Sequence, residues 1–235
     1  MGNKQRFVKI ATVLRRRQPD LTVVMDNVHK PHNLAAIARS SDAVGVLAIH
    51  AVSADHNIRL TQKAASGCHK WIKIHRHRTI VEAYQVLHAQ GFSIYAAHFD
   101  AQARDFREID YTRPTAIVVG AELDGLSPAA VGGCDGTLII PLAGFVQSLN
   151  VSVATALILF EAYRQRQAAG FYNQCRLDEE TYRQQIFEWL YPRIAAYCRK
   201  HQLSYPALNE VGEIIEPLAN DYERRQKLMP GRKTS

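Results

Sequence analysis

Residues 139–160 read IIPLAGFVQSLNVSVATALILF, and this stretch decides how the fold is interpreted. An apolar run ends at a proline, a short loop follows, and an apolar helix pattern extends from 149 to about 168. The first half of that pattern has almost no polar face, which indicates a helix buried in a core or in a subunit interface. We expect Ser148 to cap this helix, where free backbone N–H groups favour an anion. Asn150 is polar at the head of the apolar segment, and such a conflict between pattern and burial often marks a functional position.

Apolar runs alternate with helical patterns through the rest of the central chain. The runs are mostly continuous rather than alternating, which is typical of strands covered on both faces. Helix patterns near 33–44, 79–90 and 127–131 separate them, and strand–helix alternation predicts an α/β fold with a parallel sheet covered by helices. The predicted strands are Leu21–Met25, Val46–Val52, Phe92–Ala97, Thr115–Val119 and Thr137–Leu142.

The two ends of the chain differ from its centre. Residues 3–17 read as a short helix that Pro19 ends, because proline disfavours a helical conformation in the residue before it. After a change of composition at Gly170, residues 179–200 read as another helix, and a basic tail follows. We therefore predict an N-terminal helical extension over 1–19, a central domain over 20–170, and a C-terminal helical extension with a basic tail over 171–235.

Composition narrows the classes of partner. The chain of 235 residues has 29 Lys and Arg against 22 Asp and Glu, and a formal charge of +7 favours polyanions such as nucleic acid or an anionic membrane. No apolar run approaches the ~18 residues of a membrane span, so we expect no membrane partner. Four scattered cysteines without a CxxC pair are typical of reduced thiols in a cytoplasmic protein.

Several familiar motifs are absent or incomplete. No GxGxxG follows a strand and no GxSxG is present, which argues against a standard dinucleotide fold and the usual hydrolase site. Residues 120–127 have the glycine spacing of a phosphate loop, but Leu126 stands where the lysine is required.

The basic strip CHKWIKIHRHR, residues 68–78, matches no common zinc spacing, and its charge would repel a cation, so we predict no metal site. The strip reads either as an RNA-facing strand edge, where Trp71 could stack on a base, or as a solvated strand with a core tryptophan. Both interpretations remain open.

Two more segments lie where predicted strands end, and ligands of open α/β sheets bind beyond those ends. In DNVHKPHN, residues 26–33, we expect Asn33 to cap the next helix, while Arg39 lies off its inward stripe and can face a ligand or solvent. In IVVGAELDGLS, residues 117–127, a strand runs into Gly120 and then Glu122. A buried, unpaired carboxylate is costly, so Glu122 should face a cleft or a cation.

Together the three segments resemble the SPOUT methyltransferases, most closely the TrmH group of tRNA ribose 2′-O-methyltransferases. Asn33 with Arg39 looks like the first motif of that family, Gly120 to Gly125 with Glu122 like the second, and residues 139–154 like the third. The flanking stretches RRRQPDLTV (15–23) and FREIDYTRP (106–114) also look like those of members that act on guanosine 18 in the tRNA D-loop.

The resemblance implies a parallel-sheet SPOUT fold with a C-terminal deep trefoil knot, a homodimer, and S-adenosylmethionine as the cofactor. It implies that Arg39 activates the ribose hydroxyl, although a guanidinium group keeps its proton and is better suited to holding the phosphate and the hydroxyl. The other implied site residues are Asn33, Glu122, Ser148 and Asn150 in catalysis, and Ala97 (where the family pattern has threonine), Gly120, Ile140 and Leu149 at the cofactor.

The terminal helices are the expected contacts for tRNA. Candidates are Arg15, Arg16 and Arg17 in the first helix, together with the basic residues of 179–200. Two alternatives remain: an enzyme that methylates ribosomal RNA ribose, and a non-catalytic RNA-binding protein on the same fold.

Overall fold

The computed structural model describes residues 3–53, 70–122 and 124–215, and within them a single parallel sheet carries the fold. The strand order is β3-β2-β1-β6-β4-β7-β5, and every neighbouring pair is parallel. The predicted parallel α/β sheet is therefore confirmed. The strands are β1 (Leu21–Asp26), β2 (Ala48–Val52), β3 (Lys73–His77), β4 (Ser93–Ala97), β5 (Arg104–Asp105), β6 (Thr115–Val119) and β7 (Gly136–Ile139).

Helices cover both faces of the sheet, as the continuous apolar strands require. On one face Val23 and Ile117 belong to a buried cluster with residues of α2 and α5. On the other face Val24 and Val118 belong to a cluster with residues of α3 and α4. The helices are α1 (Asn3–Arg15), α2 (Pro31–Ala43), α3 (Ile80–Ala89), α4 (Pro128–Gly133), α5 (Val151–Ala168), α6 (Glu179–Leu190) and α7 (Pro192–Lys200).

The chain divides into two compact units. One unit spans residues 15–177 and contains the whole sheet, and the other combines 3–14 with 178–215 among the described residues. The central unit is wider than the predicted 20–170 because its last residues bind back to the sheet region: Arg176 pairs with Asp20 at 2.6 Å, and the Tyr172 hydroxyl donates to the Val44 carbonyl. Nothing in the composition of these residues signals those contacts.

Several local details differ from the sequence-based expectation. Strand β7 ends at Ile139, short of the predicted Leu142, since Pro141 offers no N–H to a ladder. Strand β5 has two residues, too few to give a pattern. Ser127 caps α4 by accepting from the Ala130 N–H, with proline next to it as expected.

The cysteines of the described chain are free, namely Cys134, Cys175 and Cys198, while Cys68 lies outside the described residues. The C-terminal basic tail also lies outside them.

Candidate active site

The carboxyl ends of β1 and β6 and the start of α5 meet at one edge of the sheet, and polar side chains from all three motifs join there. Oε1 of Glu122 accepts a hydrogen bond from Nδ2 of Asn33 at 2.7 Å and another from Nδ2 of Asn150 at 2.6 Å. Oε2 of the same carboxylate accepts from Nζ of Lys30. We call Lys30, Asn33, Glu122 and Asn150 the polar junction.

Charge and hydrogen bonding keep the junction ionised. The ammonium of Lys30 and then the amide of Asn33 lower the pKa of Glu122 below its ordinary value. Its side chain is 19% exposed, and the carboxylate faces a cation and amide donors, as expected for an acid at a strand end. The Glu122 carboxylate supplies a fixed negative charge that orients the two amide side chains.

The first turns of α2 and α5 are capped differently from the prediction, and in both helices the difference allows an asparagine to bind Glu122. Helix α2 begins at Pro31 after Lys30, with no side-chain cap, so Asn33 lies inside the first turn and is buried against Glu122. The prediction that Asn33 caps this helix was wrong. In α5 the cap is Asn150, whose Oδ1 accepts from the Ser152 N–H at 2.9 Å, and not Ser148. Asn150 therefore both caps a helix and binds Glu122.

The loop that carries Glu122 is held by close backbone packing. A Cβ atom on Gly120 would lie 2.2 Å from the carbonyl oxygen of Gly125, so the turn requires glycine at position 120. Ala121 and Gly125 exchange two backbone hydrogen bonds, and Gly125 adopts a φ of 68°. Beyond the turn, the buried carboxylate of Asp26 accepts from the Ser127 N–H at 2.8 Å. The loop is thereby attached to the end of β1, beside Asn33.

Arg39 and Ser148 lie outside the junction. Arg39 is exposed on α2, and it makes no ion pair or hydrogen bond with any described residue. Ser148 is exposed in the loop between β7 and α5, where residues 141–148 are all exposed. Of the five predicted catalytic residues, the structure joins Asn33, Glu122 and Asn150 and leaves these two available to a ligand.

The predicted cofactor residues follow neighbouring strands. Ala97 ends β4, while Gly120 and Ile140 directly follow β6 and β7, which flank β4 in the sheet. All three are half-buried, as is Leu149 before α5. Adjacent strands lie ~4.8 Å apart, so three neighbouring ends span about 10 Å of uncharged surface with backbone polar groups. An adenosyl group needs apolar walls and a few polar contacts, and these residue types fit it.

The three predicted RNA-binding arginines do not share one environment. Arg15 and Arg16 are exposed at the end of α1 and directly after it. Arg17 is 1% exposed, pairs with Asp42 at 2.5 Å and donates to the Val46 carbonyl. The prediction that Arg17 contacts RNA was therefore wrong, because its guanidinium is used inside the central unit.

Sequence reasoning missed Lys30 as a member of the site. Its signal was present, since it is a cation in DNVHKPHN between a strand end and a helix start. Among the described residues, no group of three or more His, Cys, Asp or Glu side chains is arranged to hold a metal ion. In the same part of the chain, no helix has the length and apolar character needed to cross a membrane.

Comparison with known proteins gives consistent matches. Residues 20–160 match the SpoU rRNA Methylase family, and residues 164–217 match the C-terminal region described as SpoU, rRNA methylase. The tRNA (guanosine(18)-2′-O)-methyltransferase of Escherichia coli is 49% identical over 90% of this chain and 93% of its own length. The enzyme of the same name from Thermus thermophilus is 52% identical over 77% of this chain and 94% of its own.

More distant relatives include an enzyme with another substrate. The 23S rRNA (guanosine-2′-O-)-methyltransferase RlmB of Vibrio parahaemolyticus is 38% identical over 68% of this chain and 65% of its own.

Two solved structures are similar. The TrmH/SpoU tRNA modifying enzyme of Aquifex aeolicus has a TM-score of 0.77 at 40% identity, over 82% of this chain and 98% of that one. AviRb of Streptomyces viridochromogenes, in complex with AdoMet, has a TM-score of 0.59 at 28% identity, over 64% and 60%.

Proposed function

Because the chain belongs to the SpoU methylase family, we propose that it methylates the ribose 2′-hydroxyl of guanosine 18 in tRNA. The chain is an S-adenosylmethionine-dependent tRNA 2′-O-ribose methyltransferase. The observation that carries the proposal is the polar junction, where Asn33 and Asn150, separated by 117 residues in the sequence, converge on Glu122. Ribosomal RNA is the second candidate, and its relative covers less of this chain at lower identity.

S-adenosylmethionine supplies an electrophilic methyl group when it is bound, and Ala97, Gly120, Ile140 and Leu149 would hold it. The alanine at position 97 agrees with a backbone contact there, since its side chain offers no hydroxyl.

The residues of the chain must place a ribose oxygen in line with that methyl group and remove its proton. Alignment supplies much of the rate of such a reaction, and proton removal a further 10²–10⁴-fold or so. Arg39, which has no partner among the described residues, holds the ribose hydroxyl and the neighbouring phosphate as a cation. A guanidinium group is not a proton acceptor, so the 2′-proton passes to water, in concert with attack or through a relay.

The junction residues act around that step. Glu122 is ionised and fixes the amides of Asn33 and Asn150, which position the ribose and the start of α5. Ser148, exposed two residues before Asn150, shapes the site beside the cofactor.

A homodimer is part of the proposal. Helix α5 leaves Val153, Leu157 and Phe160 between 43% and 51% exposed, although its sequence is that of a buried helix. With Ala36 and Ser40 of α2 they line an apolar groove. An apolar face of this kind on a stable protein usually contacts a partner, and a second copy of the chain satisfies it.

We also propose the trefoil knot, tRNA contacts in the terminal helices, and a cytoplasmic location where tRNA is matured. In the sheet order, β4 and β6 separate β7 from β1, so the segment from Ile140 to Asn150 must pass both strand ends to reach Asn33. That path agrees with a knot, and an experimental trace of residues 120–150 checks it.

The exposed Arg15 and Arg16 remain candidates for tRNA, with Arg183, Arg193, Arg199 and Lys200 of α6 and α7.

Transfer of labelled methyl groups tests the function. The enzyme is supplied with unmodified tRNA, with the same tRNA carrying 2′-deoxyguanosine at position 18, and with 23S ribosomal RNA. We expect incorporation into the first substrate alone, because the second lacks the acceptor hydroxyl and the third lacks the tRNA structure around it. Labelling of ribosomal RNA without labelling of tRNA would show that the second candidate is correct.

A further inference from the structure

Three histidines form a stacked cluster on the edge strand β3 and its neighbour β2. In the parallel register His50 is paired with His75, and the ring of His50 stacks on those of His75 and His77 at centroid distances of 4.9 and 5.1 Å. Nδ1 of His50 lies 2.8 Å from Nε2 of His77, so one ring nitrogen donates to the other. We call these three residues the imidazole cluster.

The cluster is neither a simple core element nor a metal site. His50 is buried, but His75 and His77 are half-exposed, and Lys73 on the same face of β3 is exposed. Nδ1 of His50 and Nε2 of His77 are bonded to each other, and no group of three or more His, Cys, Asp or Glu side chains in the described part of the chain is arranged to hold a metal ion. Packing three titratable rings beside a lysine costs free energy of desolvation, which suggests that the rings bind a ligand.

Burial, and for His50 and His75 also neighbouring charges, favours the uncharged form of the three rings. Burial, then His75 and His77, lower the pKa of His50 to about 3. Burial and then Lys73 lower the pKa of His75. Burial also lowers the pKa of His77, and Glu82 at the start of α3 opposes that shift. An anion placed over the two half-exposed rings would reverse the effect of burial and draw protons onto them.

His77 ends β3 at the same carboxyl edge of the sheet as the active site, while the cluster lies on the face that α3 and α4 cover, since His50 pairs with Val24. The Ser53 N–H binds the His77 carbonyl, and the Asn27 N–H binds the Val52 carbonyl, so β3, β2 and β1 end side by side. Two strand spacings, about 10 Å, separate the end of β3 from the end of β1, where the Asn33 motif begins. A nucleic acid whose ribose occupies the active site reaches the cluster when its backbone crosses this edge toward α3, so that a nearby phosphate lies over His77.

We propose that the imidazole cluster and Lys73 form a phosphate-binding surface for the tRNA substrate, and that the cluster takes up protons when tRNA binds. The inference rests on the proposed function, since it assumes that tRNA occupies the Asn33 edge. Protonated imidazoles donate from both nitrogens, and charge-assisted hydrogen bonds to phosphate are the strong ones. His75 and His77 make these contacts, while the buried His50 stays neutral and supports them from below.

Salt dependence of tRNA binding at two pH values tests this surface. Each added phosphate contact steepens the dependence of log K on log salt by roughly 0.7–0.9. For the unaltered enzyme we expect a steeper slope, and tighter binding, at pH 6 than at pH 8. The double variant His75→Gln/His77→Gln should show the shallow slope at both pH values. His75→Lys, which carries a permanent charge, should keep a steep slope at pH 8.

His88→Gln is the matched control, because His88 is a half-exposed histidine at the end of α3, near the opposite edge of the sheet, paired with Asp135. Its slopes should equal those of the unaltered enzyme. The proposal is overturned if the unaltered enzyme shows equal slopes at pH 6 and pH 8. It is also overturned if the double variant keeps the difference between the two slopes, or loses binding equally at both pH values. Binding is measured without turnover, so a lack of methyl transfer to tRNA would count against the proposed function and not against this surface.

Discussion

The polar junction and the loop before α5 lie at the same edge of the sheet, yet they differ in how complete they are. In the junction Glu122 accepts from three side chains of its own chain, and its loop is attached to Asp26. In residues 141–148 every side chain is exposed, Phe145 fully, and the apolar face of α5 continues that exposure. A single chain thus completes the part that orients the site, and leaves exposed the part that a ligand and the proposed second copy would close.

Removing Arg39 should give the largest effect, because this exposed residue of α2 is outside the junction and, in its proposed role, acts on the substrate alone. We expect Arg39→Ala to lower kcat by about 10²–10⁴-fold while the affinity for S-adenosylmethionine is unchanged. Single-turnover methylation and cofactor titration measure the two quantities. Arg113→Ala, at an arginine that is 80% exposed and paired with Asp110, is the control and should remain active. Near-normal turnover of Arg39→Ala would contradict the assigned role.

The exposed face of α5 can be tested by charge. Phe160→Glu should raise the dimer dissociation constant by about 100-fold or more, since an interface that buries an aromatic side chain would have to bury a carboxylate instead. Sedimentation equilibrium at several concentrations measures it, with methyl transfer in parallel. Val81→Glu is the matched control because Val81 is 52% exposed on α3. If Phe160→Glu is monomeric and fully active, the second copy does not complete the site.

The junction should respond to loss of its charge by a smaller factor. Glu122→Gln keeps one oxygen for the amides of Asn33 and Asn150 but places an N–H₂ against the ammonium of Lys30, which leaves a donor without an acceptor. Because an unsatisfied donor disfavours the arrangement that positions the ribose, we expect kcat to fall by roughly 5- to 150-fold in a single-turnover assay. Asp124→Asn, an exposed acid in the same loop, should leave kcat unchanged. Equal effects of the two substitutions would mean that only the net charge of the loop matters.

The same contrast explains which parts of the site the sequence could predict. A carboxylate after a buried strand must find a partner, so the position of Glu122 at a cleft followed from desolvation cost alone. Its partner Asn33 is 89 residues away, and no local pattern distinguishes a side chain that caps its own helix from one that binds across the sheet. Three consecutive arginines look alike in a charge pattern, but the packing of Asp42 against Arg17 takes one of them out of solvent.

The fold, like the site, was predictable where local patterns determine it and not where long-range contacts do. Strand–helix alternation and continuous apolar runs require a covered parallel sheet, and the strand at Thr115–Val119 has the predicted bounds. Strand order, however, depends on which loops cross at the carboxyl edge. Those crossings are long-range contacts, such as Asn150 with Asn33, and they leave no periodicity in the chain.

The smallest expected effect is on stability in acid, where the junction and His50 should respond differently. Because the pKa of Glu122 lies below its ordinary value, the junction keeps its charge as the pH falls from 7 to 5. The pKa of His50 is about 3 in the fold and 6.5 in the unfolded chain, so below pH 6.5 the unfolded chain binds the proton first. The stabilising effect of a neutral His50 is fully present above pH 6.5 and is lost as the pH falls toward 3.

At pH 5.5 that loss amounts to about 1.4 kcal/mol of unfolding free energy. Urea unfolding of the enzyme and of His50→Gln at pH 7.5 and 5.5 measures it, and the variant should lose less stability by about that amount. His88→Gln, on the far edge, should follow the unaltered enzyme. If His50→Gln loses as much unfolding free energy between pH 7.5 and 5.5 as the unaltered enzyme, the acid-sensitive group lies elsewhere. If Glu122→Gln changes that loss, proton binding at the junction contributes to it.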